Sequence, residues 1–94
     1  MFTGFVEEIG LCEDLQRSAG SARLLIQALG ISCGVKIGDS ISVNGCCLTA
    51  ISIRDGIMAF DLLDETLQRT NLKDLISGRK INLERSLLAD GRLG

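Results

Sequence analysis

The chain has 94 residues, enough for one domain and one hydrophobic core. With 46% apolar and 23% charged residues it reads as a folded domain rather than a disordered segment. A net charge of -2 and three phenylalanines as the whole aromatic complement leave neither a basic stripe nor a stacking surface for nucleic acid, so no nucleic-acid partner is expected.

Apolar residues alternate at period two through much of the chain, which predicts strands with one buried face. Phe5, Ile9, Leu11 and Leu15 share one parity in the first segment, and Ala22, Leu24, Ile26 and Ala28 share one in the second; each set is expected to point inward. In the third, Val35, Ile37, Ile41 and Val43 alternate with Lys36, Gly38, Ser40 and Ser42, so Ser40 is expected on the outward or cavity-rim side. The apolar runs Cys46 to Arg54 and Ile57 to Leu63 flank Asp55-Gly56, a pair suited to the positive φ angles of a type I′ turn, and the two should pair antiparallel. Asp64 is expected to cap a short helix through Arg69, and Asn71 a further turn carrying Leu72, Leu75 and Ile76. After a Ser77-Gly78 turn, residues 80–84 complete the set with Ile81 and Leu83 inward.

Six short antiparallel strands have too little surface for an ordinary two-layer sandwich, and closing the sheet removes exposed edges. The expected fold is therefore all-β: a small closed six-stranded antiparallel barrel with one or two short helices, a single domain over residues 1–94.

Cys12, Cys33, Cys46 and Cys47 form no C-x-x-C pair and the chain has no histidine, so no metal site is expected. A bridge between adjacent Cys46 and Cys47 would close a strained ring. No secretory signal is visible, and the apolar runs break well before the ~20 residues that span a bilayer. Free thiols in a cytoplasmic protein, with no membrane segment, are the expectation. The lack of histidine also excludes serine-type and papain-type triads, and no glycine-rich phosphate loop follows a strand. On the residues alone, Cys46-Cys47 stands open between core packing and site chemistry. Asp61, Asp64, Glu65 and Thr66 stand open between helix capping and accepting hydrogen bonds from a polyol.

Four blocks then decide the direction. Met1-Phe2-Thr3-Gly4-Phe5-Val6-Glu7-Glu8 resembles the start of riboflavin synthase, which usually has isoleucine where this chain has Phe5. Gly38-Asp39-Ser40 with Val43-Asn44-Gly45-Cys46-Cys47-Leu48-Thr49 resembles a second signature of that family; Asp61 to Thr66 with Leu67 and Asn71-Leu72 a third; Asn82-Leu83-Glu84-Arg85 a fourth. The blocks keep the family's order and cover the chain.

The resemblance implies a Greek-key barrel of the riboflavin-synthase type, one of two similar barrels per chain, each binding one 6,7-dimethyl-8-ribityllumazine. It implies a dismutation in which one lumazine gives a four-carbon unit to another, yielding riboflavin and a ribitylamino-pyrimidinedione without metal or organic cofactor. Carried over by matching motifs, the binding positions are Gly4, Phe5, Val6, Cys47, Leu48, Thr49, Asp61, Leu62, Leu63, Asp64, Glu65 and Thr66, converging on one pocket. The resemblance associates Cys47 and Ser40 with catalysis and leaves Cys46 as an outward structural neighbour. Phe5 at the pocket adds a ring that contacts the ligand or narrows the site. The sequence closes on Arg92-Leu93-Gly94, where the family continues through Gly-His into the second barrel. The expectation is one complete pocket without its partner half: ligand binding with negligible turnover, a homotrimer for the full-length enzyme, and a homodimer as the pairing open to an isolated domain. Two other readings remain: a lumazine or flavin carrier or antenna, and a small barrel used for protein contacts.

Overall fold

In the computed structural model, which describes residues 2–86, six strands follow in chain order: β1 (Glu8–Ser18), β2 (Ser21–Gln27), β3 (Ser40–Val43), β4 (Cys46–Arg54), β5 (Ile57–Leu63) and β6 (Lys80–Arg85). A 3-10 turn (Ile31–Gly34) lies between β2 and β3; helix α1 (Asp64–Arg69) and a second 3-10 turn (Asn71–Asp74) lie between β5 and β6. The expected ending at Arg92, Leu93 and Gly94, like Met1, is outside the described residues.

All pairings are antiparallel and close a barrel in the order β1-β2-β5-β4-β3-β6. Strands β3, β4 and β5 meander, and β6 returns through α1 to lie beside β3, which is the Greek-key order. The meander is set by two two-residue turns: Asn44-Gly45 with φ 49° and 85°, and Asp55-Gly56 with φ 53° and 79°. Positive φ at both positions defines type I′, whose twist matches that of the strands it joins. The first of these turns has the same Asn-Gly signature in the sequence as any hairpin of this class, yet only Asp55-Gly56 was expected.

Phe60, Leu24, Ile26, Ile41, Val43, Met58, Ile81 and Leu83 fill the interior, and Leu67 and Leu72 close one end from the β5–β6 connection. Ala22, Leu24, Ile26 and Ala28 are buried as expected, as are Ile81 and Leu83. The first strand differs. Phe5, Ile9 and Leu11 are exposed, and the inward positions are Gly10 and Cys12. A side chain at Gly10 would sit 2.8 Å from both the Gln27 carbonyl oxygen and Leu83 Cδ1, so β1 passes too close to its neighbours there for anything larger. Between Cys12 and Asp14 the register with β2 shifts, Cys12 facing Ile26 and Asp14 facing Leu25. This bulge leaves Glu13 over and reverses the parity, which brings Leu15 back against the core.

The third segment also starts later than its alternation suggests. Val35 is buried, but Ile37 is 71% exposed at the corner of a turn in which Asp39 N–H donates to the Lys36 carbonyl. Gly38, with φ 97°, occupies the position where a type II turn needs it. The caps differ by one residue. Leu63, not Asp64, precedes α1 and makes no side-chain cap; Thr70, not Asn71, caps the following turn by accepting from Leu72 N–H at 3.2 Å. Ile76 is exposed while Leu72 and Leu75 are buried. Among the described residues no helix is long and apolar enough to cross a membrane.

Candidate functional site

The β3–β4 ladder pairs Ser40 with Thr49 and Ser42 with Cys47. Ile41, Val43 and Leu48 between them are buried, so by strand alternation these four polar side chains stand together on the outer face. Ser40 and Ser42 are half-buried; Cys47 and Thr49 are exposed. On the other side of β4, Ala50 faces Phe60 with both side chains inward. The exposed Thr49 and Asp61 therefore flank that pair on the outer side, and Leu63 follows two residues on.

All four cysteines are free thiols. Cys46 packs against the core and Cys47 is exposed, the reverse of the expected outward Cys46. The reason is register: Cys46 pairs with the inward Val43. Burial, then the neighbouring Cys47, pushes the Cys46 thiol above its ordinary range.

Residues 3–7 make a lip beside this face, and β6 holds it. Leu83 points inward, so Glu84 points outward, across from Ser42 on β3. Glu84 is nevertheless only 7% exposed, because the amino-terminal segment lies over it. Its Oε2 accepts from Thr3 N–H at 2.5 Å and from the Thr3 hydroxyl at 2.6 Å, and its Oε1 from Gly4 N–H at 3.0 Å. The Thr3 hydroxyl oxygen in turn accepts from Phe5 N–H at 3.1 Å. The Thr3 hydroxyl first of all, then the two amides, hold the Glu84 carboxyl below its ordinary range against the opposing effects of burial and Glu7. One step further, Glu7 N–H donates to the Leu83 carbonyl, and the Glu7 carboxylate accepts from Arg85 N–H, Nε and a terminal guanidinium nitrogen, the last at 2.8 Å.

Among the described residues, two of the surface recesses are lined by residues that the sequence singled out. One of about 420 Å³ is lined by Gly4, Phe5, Val6, Ser42, Asn44 and Glu84 among others. The second, of about 500 Å³, lies over β1, β2 and β5 and is lined by Gln16, Ser18, Ser21, Arg23, Asp61 and Leu63 among others. They share no lining residue. Gly4, Phe5 and Val6 thus line the first and Asp61, Leu62 and Leu63 the second; Ser40, Cys47 and Thr49 stand on the face of β3 and β4.

Leu48 and Leu62 have their side chains in the core, so only their backbone is available to a ligand. Asp61 is committed to Arg23 on β2, whose Nε donates to Oδ1 at 2.9 Å and whose terminal nitrogen donates to Oδ2 at 3.3 Å. Asp64 and Glu65 are exposed in the first turn of α1, Glu65 paired with Arg69 at 2.7 Å. Thr66 is half-buried, and its carbonyl accepts from the Thr70 hydroxyl. Phe5 is 79% exposed, its ring free beside the first recess. Sequence reasoning gave no role to Glu84 or Ser42. Nothing in the local pattern around Glu84 signals that an outward strand residue will be covered by the chain's own beginning.

A closed six-stranded Greek-key barrel with a hydroxyl- and thiol-bearing outer face and an amino-terminal lip defines the structural class. Comparison narrows it. Residues 3–86 match the lumazine binding domain family, and the chain belongs to that family. Over all 94 residues the chain is 43% identical to riboflavin synthase of Bacillus amyloliquefaciens and 42% identical to that of Bacillus subtilis strain 168, covering 44% of each relative. The chain thus spans less than half the length of these curated relatives. Among solved structures, LumP complexed with riboflavin superposes with a TM-score of 0.84 at 31% identity, over 97% of this chain and 52% of that one. LumP complexed with flavin mononucleotide also gives 0.84, at 30% identity over 90% of this chain and 48% of that one.

Proposed function

We propose that this domain binds 6,7-dimethyl-8-ribityllumazine and riboflavin on the outer face of β3, β4 and β5, beside residues 4–6, as the amino-terminal half of a riboflavin synthase. The observation that carries the reading is 43% identity, over the whole of this chain, to 44% of a riboflavin synthase. The lip beside β6, the hydroxyl and thiol row of β3 and β4 and the β5–α1 junction follow one another across neighbouring strands of the barrel, which supports it.

With the Gly4 and Phe5 amides committed to Glu84 and Thr3, the Val6 N–H, the C=O groups of residues 4–6 and the backbone of residues 48–49 suit the pyrimidinedione edge, which offers donors and acceptors in one plane. Glu65 and Thr66 suit the ribityl hydroxyls; Asp61 joins them only by sharing its carboxylate with Arg23. Cys47 and Ser40, on adjacent strands of that face, are the groups we assign to contact the reacting methyl groups or to orient a water near them. The whole enzyme's reaction needs two lumazines face to face, so proximity supplies much of the rate and a single pocket supplies little. Full-length chains assembled as trimers would provide the second pocket from a neighbour; the isolated domain would meet one only as a homodimer.

The likeness to LumP bound to riboflavin favours a second reading, a module that holds ligand without turning it over. The experiment is a riboflavin fluorescence titration together with a lumazine turnover assay. Saturable quenching with negligible riboflavin formation by the domain is the expected result. No change in fluorescence would overturn the binding reading, and substantial turnover by the domain would overturn the claim that one pocket is insufficient.

A further inference from the structure

We propose that Glu84 is a positioning residue: it touches no ligand and sets the height and direction of the residue 4–6 backbone that forms one border of the ligand face. This deepens the reading above and rests on it. Both carboxylate oxygens are occupied by the chain's own amino-terminal segment, Oε2 by the Thr3 amide and hydroxyl and Oε1 by the Gly4 amide. Oε2 takes two donors and Oε1 one, so the carboxylate is engaged by the lip although Glu84 borders the first recess. Strand β1 begins only at Glu8, so residues 3–6 gain no support from its ladder. Their hydrogen bonds to the barrel strands run through this carboxylate, and the next tie along the chain is the Glu7 amide to the Leu83 carbonyl. Gly4 itself has φ 87°, one of several conformations open to a glycine; the carboxylate fixes the Thr3 and Gly4 amides and so selects it.

The placement is specific because Glu84 lies across from Ser42, which is itself on the hydroxyl and thiol row and in the recess with Gly4, Phe5 and Val6. Glu84 therefore couples the lip to the strand that carries Ser40 and Ser42. The chemistry demands a carboxylate. Three donors converge on two acceptor oxygens, and an amide would turn an N–H toward at least one of them. One methylene less would withdraw the acceptors from amides that sit at 2.5 and 3.0 Å.

The test compares wild type, Glu84→Gln and Thr3→Val by two readouts: amide order parameters along the chain and riboflavin affinity by fluorescence. Thr3→Val removes one donor from an exposed residue and leaves the barrel untouched, which covers the case in which Glu84→Gln folds poorly. The expectation is that order parameters of residues 3–5 fall from the rigid range near ~0.85 to below ~0.6 in the variants, while those of Ile81 and Leu83 hold. Riboflavin binding should weaken about tenfold in Glu84→Gln and less in Thr3→Val, with Thr3→Ser restoring wild-type values. Unchanged order and affinity in both variants would overturn the proposal. So would a loss of affinity that tracks loosening of Ile81 and Leu83 instead of the lip. If wild type binds no riboflavin, the ligand reading falls, and a lip that stays ordered in both variants would refute the positioning role independently.

Discussion

Cys46 and Cys47 are neighbours in sequence and opposite in environment, one packed against the core and the other exposed beside Ser42. Substituting Cys47→Ser keeps size and exposure, so stability should stay within about 0.5 kcal/mol by urea unfolding. Riboflavin affinity should change at least severalfold if the thiol faces the ligand; wild-type affinity would remove Cys47 from the site. Glu84 gives the pH dependence. Its folded carboxyl is held below the ordinary value of 4.5, so its contribution to holding the lip is complete above that value and is lost as pH falls through the lower folded value. Riboflavin affinity measured from neutral pH downward should stay level to about 4.5 and then decline. A decline already complete at higher pH would point to a different group.

Much of the element level was legible in the chain. The bounds of β4 and β5 coincide with the two apolar runs around Asp55-Gly56, because a two-residue type I′ turn fixes register without help from the rest of the fold. The β1 parity was not legible, because its inward positions carry Gly10 and Cys12 and a bulge hides the switch to Leu15. Alternating hydrophobicity sees neither a glycine forced by close packing nor an inserted residue. The same limit hid the Ile37-Gly38 corner before β3. At the site, strand alternation gave the outward side for Ser40, whereas the Cys46 and Cys47 sides follow only once pairing with Val43 is known. The turns allow a graded test. Gly45→Ala incurs the cost of φ 85° with open space around the new methyl, about 1–2 kcal/mol. Gly56→Ala incurs a similar backbone cost and also drives the methyl into the Leu29 side chain, so its urea midpoint should fall further. Equal losses would show that Leu29 gives way freely.

At the scale of the molecule, the barrel interior is closed with aliphatic side chains and Phe60, and the polar row lies outside. Stability and recognition are therefore carried by opposite faces of the same strands. Phe60→Ala should cost about 3–5 kcal/mol, a large part of a small domain's total, with effects on ligand explained by unfolding alone. Changes on the outer face should do the reverse. The account stands or falls on which outer surface the ligand occupies, and amide chemical-shift mapping during a riboflavin titration answers that directly. The result expected is a continuous set of perturbed amides at residues 4–6, 40–42, 47–49 and 61–66. Perturbation centred on Gln16, Ser18 and Ser21 over β1 and β2, or none at saturating riboflavin, would contradict it.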